Sequence, residues 1–320
     1  TRGRRYDRDE CQIVRSHELL ALGLLVGEKA DAPLSRVLLT RRADRNTTRI
    51  ADNALATIGV RADARTRRSI ARRIVGALGK RGQIRDVSTR NFAHISLGRL
   101  LAVDPKTPGL PYLIETAAEG KYMDRVPAAL ALGIASRAHE EPLDRRVPEL
   151  LVEGISSKKL AGRGRAGFCI AAGLAGVEAA VPPMQALVPD RMAMDELRGY
   201  AALGLAYAGD VSQGAFAASM PDGSEEMRLT MLDAAGLMRT PRARAAASLV
   251  LRAARSQMLK GQAAITLGRL QDPESISELI QILRGDHHQD LTRMIAAAAL
   301  GRICDPEPRP SLSRLTTNLN

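Results

Sequence analysis

A ten-residue phrase, rich in alanine and leucine and usually ending in glycine, recurs along this chain of 320 residues. Clear copies are VRSHELLALG, which ends at Gly23, DRVPAALALG, which ends at Gly133, and TRMIAAAALG, which ends at Gly301. Eight copies are clear, and a looser one, TRIADNALAT, covers residues 48–57. A repeat of this length predicts a stacked architecture rather than an ordinary globular core.

Every copy of the phrase carries a basic residue in its second position. Successive members of this basic ladder lie 30 to 41 residues apart, which is the length of a helix pair. The ladder consists of Arg15, Arg49, Arg90, Arg125, Arg165, Arg198, Arg228, Lys260 and Arg293.

The phrase and the segments between its copies each have the hydrophobic periodicity of an α-helix. Hydrophobic residues make up 45% of the chain but aromatic residues only 2%, so the core must consist mainly of small and aliphatic side chains. Such side chains suit closely packed helices, and the alternating patterns of strands are missing. We expect the glycine of the phrase to relax the backbone where the helix ends. The sequence predicts an all-α fold, an α-solenoid forming a curved superhelix of about eight to nine tandem helix pairs.

The order of arginine, alanine-rich helix, Ala-Leu-Gly, short turn and aspartate resembles the HEAT-like repeat first described in phycobilisome lyases. The resemblance extends over nearly the whole chain. It implies that the phrase helices line the concave side, and it implies a role as a scaffold or adaptor, since such repeats serve these functions as well as a few enzymes.

The organisation expected from the repeat is one solenoid over residues 1–320. Neither end shows a clear polar cap, which predicts that the sequence is part of a longer array or that its ends contact a partner. The three cysteines are far apart and indicate neither disulfides nor a zinc site. No apolar run is long enough to cross a membrane, and the sequence does not reveal a localisation.

The positive charge is concentrated in the first third of the chain. Residues 1–100 hold 22 Lys and Arg against 10 Asp and Glu, whereas the rest of the chain is balanced. One interpretation is a surface that binds nucleic acid or another polyanion. The alternative is a solvated helical face. The candidates are Arg41, Arg42, Arg67, Arg68, Arg72 and Arg73, with Lys158, Lys159 and Arg163 as an anion site at a glycine-rich helix start.

The basic ladder has two interpretations as well. Its members could form a row of ligands on the inner surface of the array. An acidic residue commonly precedes them, as Asp124 precedes Arg125 and Asp290 precedes Arg293. An acidic side chain at a helix start can satisfy free N–H groups and pair with the arginine of a neighbouring repeat, which favours a structural role.

Sequence motifs for catalysis are weak. Two His-Glu pairs, His17–Glu18 and His139–Glu140, are too few for the iron site that HEAT-like repeats carry in deoxyhypusine hydroxylases. The GRGRAG motif at 162–167 lies between helical segments, which is the wrong context for a dinucleotide site. His287 and His288 lack further ligands nearby.

The sequence therefore predicts no catalytic, cofactor or metal residues and a chain that is not an enzyme. Its expected function is that of a scaffold or structural subunit that binds a protein partner. Polyanion binding is the alternative, and a HEAT-repeat metalloenzyme or lyase is a remote one.

Overall fold

The computed structural model describes residues 45–79, 84–209 and 223–305, and within these ranges it contains fourteen α-helices and no strand. The helices are α1 (Arg45–Arg61), α2 (Ala64–Leu78), α3 (Val87–Val103), α4 (Leu110–Glu119), α5 (Tyr122–Ser136), α6 (Arg146–Ser156), α7 (Gly162–Leu174), α8 (Val181–Leu187), α9 (Asp195–Tyr207), α10 (Glu225–Met238), α11 (Pro241–Ala253), α12 (Gln257–Leu270), α13 (Ile276–Arg284) and α14 (Asp290–Cys304). Short 3-10 turns, Glu178–Ala180 and Pro273–Ser275, precede α8 and α13. The prediction of an all-α fold is confirmed.

The helices that carry the phrase stack on one another. These phrase helices are α1, α3, α5, α7, α9, α10, α12 and α14, and the intervening helices are α2, α4, α6, α8, α11 and α13. Phrase helix α3 packs on α5, α5 packs on α7, and α12 packs on α14, while α4 and α13 pack on the phrase helices that follow them. Stacked helix pairs of this kind form an α-solenoid, so the predicted fold class is confirmed.

The glycine of the phrase allows neighbouring phrase helices to approach closely. A Cβ atom on Gly98 would lie 2.5 Å from the carbonyl oxygen of Ala131, and one on Gly133 would lie 2.5 Å from that of Ala171. The expectation that this glycine relaxes the end of the helix is wrong, because α3 continues past Gly98 to Val103. Its function in the fold is close backbone contact between repeats.

Polar residues at the helix starts define where several helices begin. The Asp63 carboxylate accepts a hydrogen bond of 2.7 Å from the backbone N–H of Thr66 at the start of α2. The Thr240 hydroxyl accepts one of 3.2 Å from Ala243 at the start of α11, where Pro241 occupies the first helical position. These caps satisfy N–H groups that have no partner within the helix.

The chain divides into two compact units, with the boundary between Pro183 and Met184. The first unit contains α1 to α7 and the second contains α9 to α14. Each is a stack of phrase helices with intervening helices packed against it. A single solenoid over residues 1–320 stays a prediction.

Candidate functional site

The basic ladder donates hydrogen bonds to the carboxyl ends of the intervening helices. The Nε atoms of Arg125, Arg165 and Arg293 lie 3.0, 2.7 and 3.0 Å from the carbonyl oxygens of Ala117, Ile155 and Leu283. These three carbonyls belong to the last turns of α4, α6 and α13. Carbonyls in a last turn have no partner within the helix, so the ladder satisfies groups that the intervening helices leave free.

Two further members of the ladder make the same kind of contact. Arg90 donates to the carbonyl oxygen of Leu78, the last residue of α2, at 3.0 Å. Arg198 donates from Nε to the carbonyl oxygen of Val188, directly after α8, also at 3.0 Å. Five ladder members on five different phrase helices thus cap the intervening helix that precedes them.

Arg90 also forms an ion pair with the next repeat. Its Nε and second guanidinium nitrogen lie 2.9 and 3.0 Å from the two carboxylate oxygens of Asp124, which is buried at the start of α5. Ion pairs within one helix join Arg198 to Asp195 at 2.8 Å and Arg293 to Asp290 at 3.6 Å. A two-pronged pair with a buried carboxylate fixes the register of two repeats.

The rest of the ladder is less regular. The Nε atom of Arg228 is buried and has no hydrogen-bond partner in the described structure. Arg15 and the side chain of Arg49 lie outside the described residues. A structural role for the whole ladder therefore stays a prediction, supported by the contacts of its five capping members.

The structure places the arginines of the basic first third of the chain in different environments, some buried and some exposed. Arg67 is only 9% exposed, and its guanidinium donates to the carbonyl oxygens of Gly59 and Ala62 at 2.9 and 2.6 Å. Arg67 therefore caps the end of α1 from inside the fold and does not lie on the surface where a polyanion could contact it.

An exposed arginine stripe runs along α2 instead. Arg65, Arg68 and Arg72 are three and four residues apart, so they share one face of the helix. Arg65 and Arg72 are exposed, and Arg68 forms a salt bridge of 3.3 Å with Asp104. Arg73 is half-buried on a different face, and Arg41 and Arg42 lie outside the described residues.

The second group of basic candidates lies at the start of α7. Lys158, Lys159 and Arg163 are exposed there. The GRGRAG motif opens this helix, and its last glycine is at a packing contact, because a Cβ on Gly167 would lie 2.3 Å from Val126 Cγ1. The motif thus serves helix packing. Anion binding by these side chains stays a prediction.

The histidines are used in local contacts. His139 Nε2 donates to the carbonyl oxygen of Leu101 at 3.0 Å, and His288 Nδ1 lies 3.2 Å from the side-chain oxygen of Gln257. In the ranges that the structure describes, no group of three or more His, Cys, Asp and Glu could hold a metal ion. His17 and Glu18 fall outside those ranges.

An open groove of about 1080 Å³ lies in the first unit, at the amino ends of α3 and α5. Its floor contains the ion pair between Arg90 and Asp124, and its rim exposes Tyr122 and Met123, at 46% and 53%. The lining residues are Leu78, Gly79, Ile84, Arg85, Val87, Arg90, Tyr112, Glu115, Thr116, Glu119, Gly120, Lys121, Tyr122, Met123 and Asp124. We call this feature the Tyr122 groove.

A buried histidine lies next to the Tyr122 groove. The ring of His94 stacks on that of Tyr112 with centroids 5.9 Å apart, and its Nδ1 lies 2.7 Å from the carbonyl oxygen of Arg90. Burial lowers the pKa of His94, so the imidazole is neutral at pH 7 and Nδ1 carries its proton. Sequence reasoning missed the stacked pair of His94 and Tyr112. The available signal was the rarity of tyrosine, since Tyr112 and Tyr122 are two of only five tyrosines in the chain.

A buried carboxyl group lies between α1 and α3. Asp52 is fully buried, and the hydroxyl of Ser96 donates to one of its oxygens at 2.6 Å while the other oxygen has no partner in the described structure. Burial raises the pKa of Asp52 to about 7. The sequence signal for this site is the loose phrase copy at residues 48–57, where an aspartate stands among small apolar residues.

Comparison with protein families finds a match to a repeat family. The family model described as HEAT repeats matches residues 246–319. These findings support a HEAT-like repeat protein. The phycobilisome lyase type that the sequence resembles is not confirmed, and no curated protein matches. No helix among the described residues of this HEAT-like chain is both long and apolar enough to span a membrane.

Human deoxyhypusine hydroxylase in complex with glycerol is among the similar solved structures. The identity is 17%, the TM-score is 0.39, and the alignment covers 88% of this chain and 98% of that one. The sequence-based prediction that this HEAT-like chain is not an enzyme was drawn from its repeats. That prediction is wrong, because a similar structure is that of an enzyme.

Proposed function

We propose that this chain is a HEAT-repeat scaffold and that it holds a protein partner in the Tyr122 groove. The observation that carries the proposal is the exposure of Tyr122 and Met123 on the rim of an open groove whose floor is an ion pair. Tyrosine and methionine are enriched where proteins contact one another.

The charged floor of the groove is held in place before any partner binds. All three guanidinium nitrogens of Arg90 donate hydrogen bonds, to Asp124 and to the carbonyl oxygens of Leu78 and Ile84. A partner therefore meets a fixed surface and loses little binding free energy to ordering it. The groove is also stabilised by the stacking of α3 on α5, which forms part of the repeat core.

The rim offers apolar contacts flanked by separate charges. Val87, Tyr122 and Met123 supply exposed apolar surface, while Glu115 and Lys121 supply exposed charges of opposite sign. A mixed rim of this kind suits a protein segment with both apolar and charged side chains better than it suits a uniformly charged polymer.

The test is recovery of partners from native extract with and without nuclease, at moderate salt. We expect one defined protein to remain bound after nuclease treatment and to be lost with Met123→Glu, which introduces a charge on the apolar rim. Met192→Glu is the matched control, because Met192 is 94% exposed and lies outside the groove. Equal retention by both variants would contradict the proposed contact surface.

Binding of nucleic acid or another polyanion is the second candidate function. The arginine stripe of α2 supports it, since Arg65 and Arg72 are exposed on one helix face in the most basic part of the chain. Contacts of this kind are made to phosphates, so they weaken steeply with salt and carry no sequence preference.

The test of this candidate is the salt dependence of binding to a DNA duplex. Replacing Arg65 and Arg72 together with Glu should lower the affinity and reduce the slope of log K against log salt by about two. Arg242 and Arg284, also exposed but in the second unit, provide a control with the same charge change. Unchanged binding in the Arg65 and Arg72 variant would show that the stripe is a solvated face.

A further inference from the structure

The phrase helix α14 exposes an apolar face. Leu291 and Met294 are 65% and 67% exposed, and Ala297, Ala298 and Gly301 on the same side are exposed as well. With about 100° of rotation per residue, these five positions fall within an arc of about 120°. The opposite side of α14 is buried against α12 and α13, through Thr292, Ala296 and Ala299.

The corresponding positions of α12 show what this face is built to contact. Ala264 and Gly268 of α12 are buried, and a Cβ on Gly268 would lie 3.0 Å from the Cα of Ala299 in α14. Within the part of the chain that the structure describes, a Cβ on Gly301 would meet no atom within 4 Å. Gly301 therefore has the surroundings of an unfilled helix contact, and the fitting occupant is another helix with small residues on its contact face.

The ends of the exposed face carry opposite charges. Asp290, in the first turn of α14, is 94% exposed at its side chain and lies 3.6 Å from the guanidinium of Arg293. Arg302, in the last turn, is exposed. On an antiparallel copy of the same helix, the acidic end of one faces the basic end of the other, so the face is complementary to itself under a two-fold axis.

We infer that α14 is the contact surface of a homodimer, in which the α14 helices of two copies pack antiparallel about a two-fold axis. With the axis near residue 296, Asp290 faces Arg302 of the second copy, Leu291 faces Gly301, and Met294 faces Ala298. Each large apolar side chain thus meets a small residue, and two ion pairs form at the ends. This arrangement does not depend on the Tyr122 groove or on its partner.

The small contact area sets the strength of the dimer. One face of a helix of 15 residues is smaller than the roughly 800 Å² that each partner buries in a standard interface. The dimer is therefore weak and concentration-dependent. Sedimentation velocity on the full chain, from low micromolar to several hundred micromolar, should show a monomer that converts to a dimer.

Charge reversal tests the geometry of the contact. Asp290→Arg and Arg302→Asp should each weaken dimerisation by about tenfold, because each turns two attractive pairs into repulsive ones. The variant carrying both changes restores the pairs in swapped order and should dimerise like the parent chain. Rescue of this kind distinguishes the antiparallel contact from a general loss of stability, and circular dichroism checks that every variant is folded.

A substitution at the middle of the face provides a second test. Ala298→Glu should abolish the dimer, whereas Ala253→Glu, at an exposed position at the end of α11, should leave it unchanged. A chain that stays monomeric at all concentrations would overturn the inference and leave α14 as the contact for another protein or a further repeat. A dimer that resists Ala298→Glu, or that the double charge reversal fails to restore, would overturn it equally.

Discussion

Arginine has different functions in this chain according to where its guanidinium lies. Arg67 and Arg72 are five residues apart on α2, yet the first is buried and donates to the carbonyl oxygens of Gly59 and Ala62, while the second is exposed. A buried cation is tolerated only when its donors are satisfied. The residue type alone does not distinguish the two positions.

Replacing Arg67 with Gln should lower the free energy of unfolding by about 2–3 kcal/mol, because two hydrogen bonds from a charged donor are lost in the interior. Arg72→Gln is the matched control and should change it by less than about 0.5 kcal/mol, as expected for an exposed site. Urea unfolding of the two variants measures the difference. Equal midpoints would show that the capping of α1 by Arg67 contributes little.

Asp52 makes the stability of the chain depend on pH. The pKa of Asp52 is about 7 in the folded chain, against an ordinary value of 3.8. Between about pH 4 and pH 7, the carboxyl group therefore keeps its proton in the folded state but has lost it in the unfolded state. Stability from this group is complete below pH 4 and is lost as the pH rises towards 7. The physical cause is the burial of the carboxyl group between α1 and α3.

Asp52→Asn should remove this dependence, since the amide has no proton to release. Over the window from about pH 4 to pH 7, the free energy of unfolding of the parent should fall relative to the variant by up to about 1.4 kcal/mol per pH unit. Urea titrations at intervals of one pH unit measure the two curves. Parallel curves would mean that Asp52 is ionised in the folded chain.

At the scale of helices, the phrase is a packing motif for neighbouring repeats. At Gly98, Gly133 and Gly268, the alanine that the phrase glycine contacts lies two residues before the glycine position of its own phrase, as Ala131 does for Gly133 and Ala299 for Gly301. The contact of Gly98 with Ala131 therefore recurs as Gly133 with Ala171 and as Gly268 with Ala299. The phrase thus specifies both the formation of its own helix and the position at which the next phrase helix packs on it.

Gly98→Ala should destabilise the chain by about 2 kcal/mol, because the new methyl group would overlap the backbone of Ala131. Gly76→Ala provides the contrast. Gly76 lies near the end of α2 with no atom of the described residues within 4 Å of its Cβ position, so the change should add about 0.5–1 kcal/mol of helix propensity. Thermal unfolding of both variants gives the signs directly, and a neutral Gly98→Ala would show that the repeats can separate without loss.

At the scale of the molecule, contacts run mainly between adjacent helices within each unit. An array with nearest-neighbour contacts loses structure locally when one contact is weakened. We expect Gly268→Ala to lower the hydrogen-exchange protection of α12 and α14 while α3 and α5 keep native protection. Mass spectrometry of peptides from the four helices measures this. A uniform loss of protection would indicate that the whole chain unfolds as one cooperative body.

Much of the fold follows from the repeat, whereas little of the candidate site does. The spacing of the ladder from Arg90 to Arg293 correctly indicated the phrase helices. The glycine was assigned to the helix ends because its close contact with the next repeat involves a residue about 31 to 38 positions away, such as Ala131 for Gly98. The Tyr122 groove was missed for the same reason, since its lining comes from α2, α3, α4 and α5.

The helical repeat, its length and its aliphatic core could be read from the sequence, because helical periodicity and small residues are properties of short segments. The folded structure was needed to show which arginines are buried caps and which lie on the surface, that Asp52 is enclosed, and that α14 exposes an apolar face among the described residues. These properties depend on the distances between residues of different repeats. The phrase specifies how one helix packs on the next, and the stacked helices then determine which side chains remain exposed to a partner.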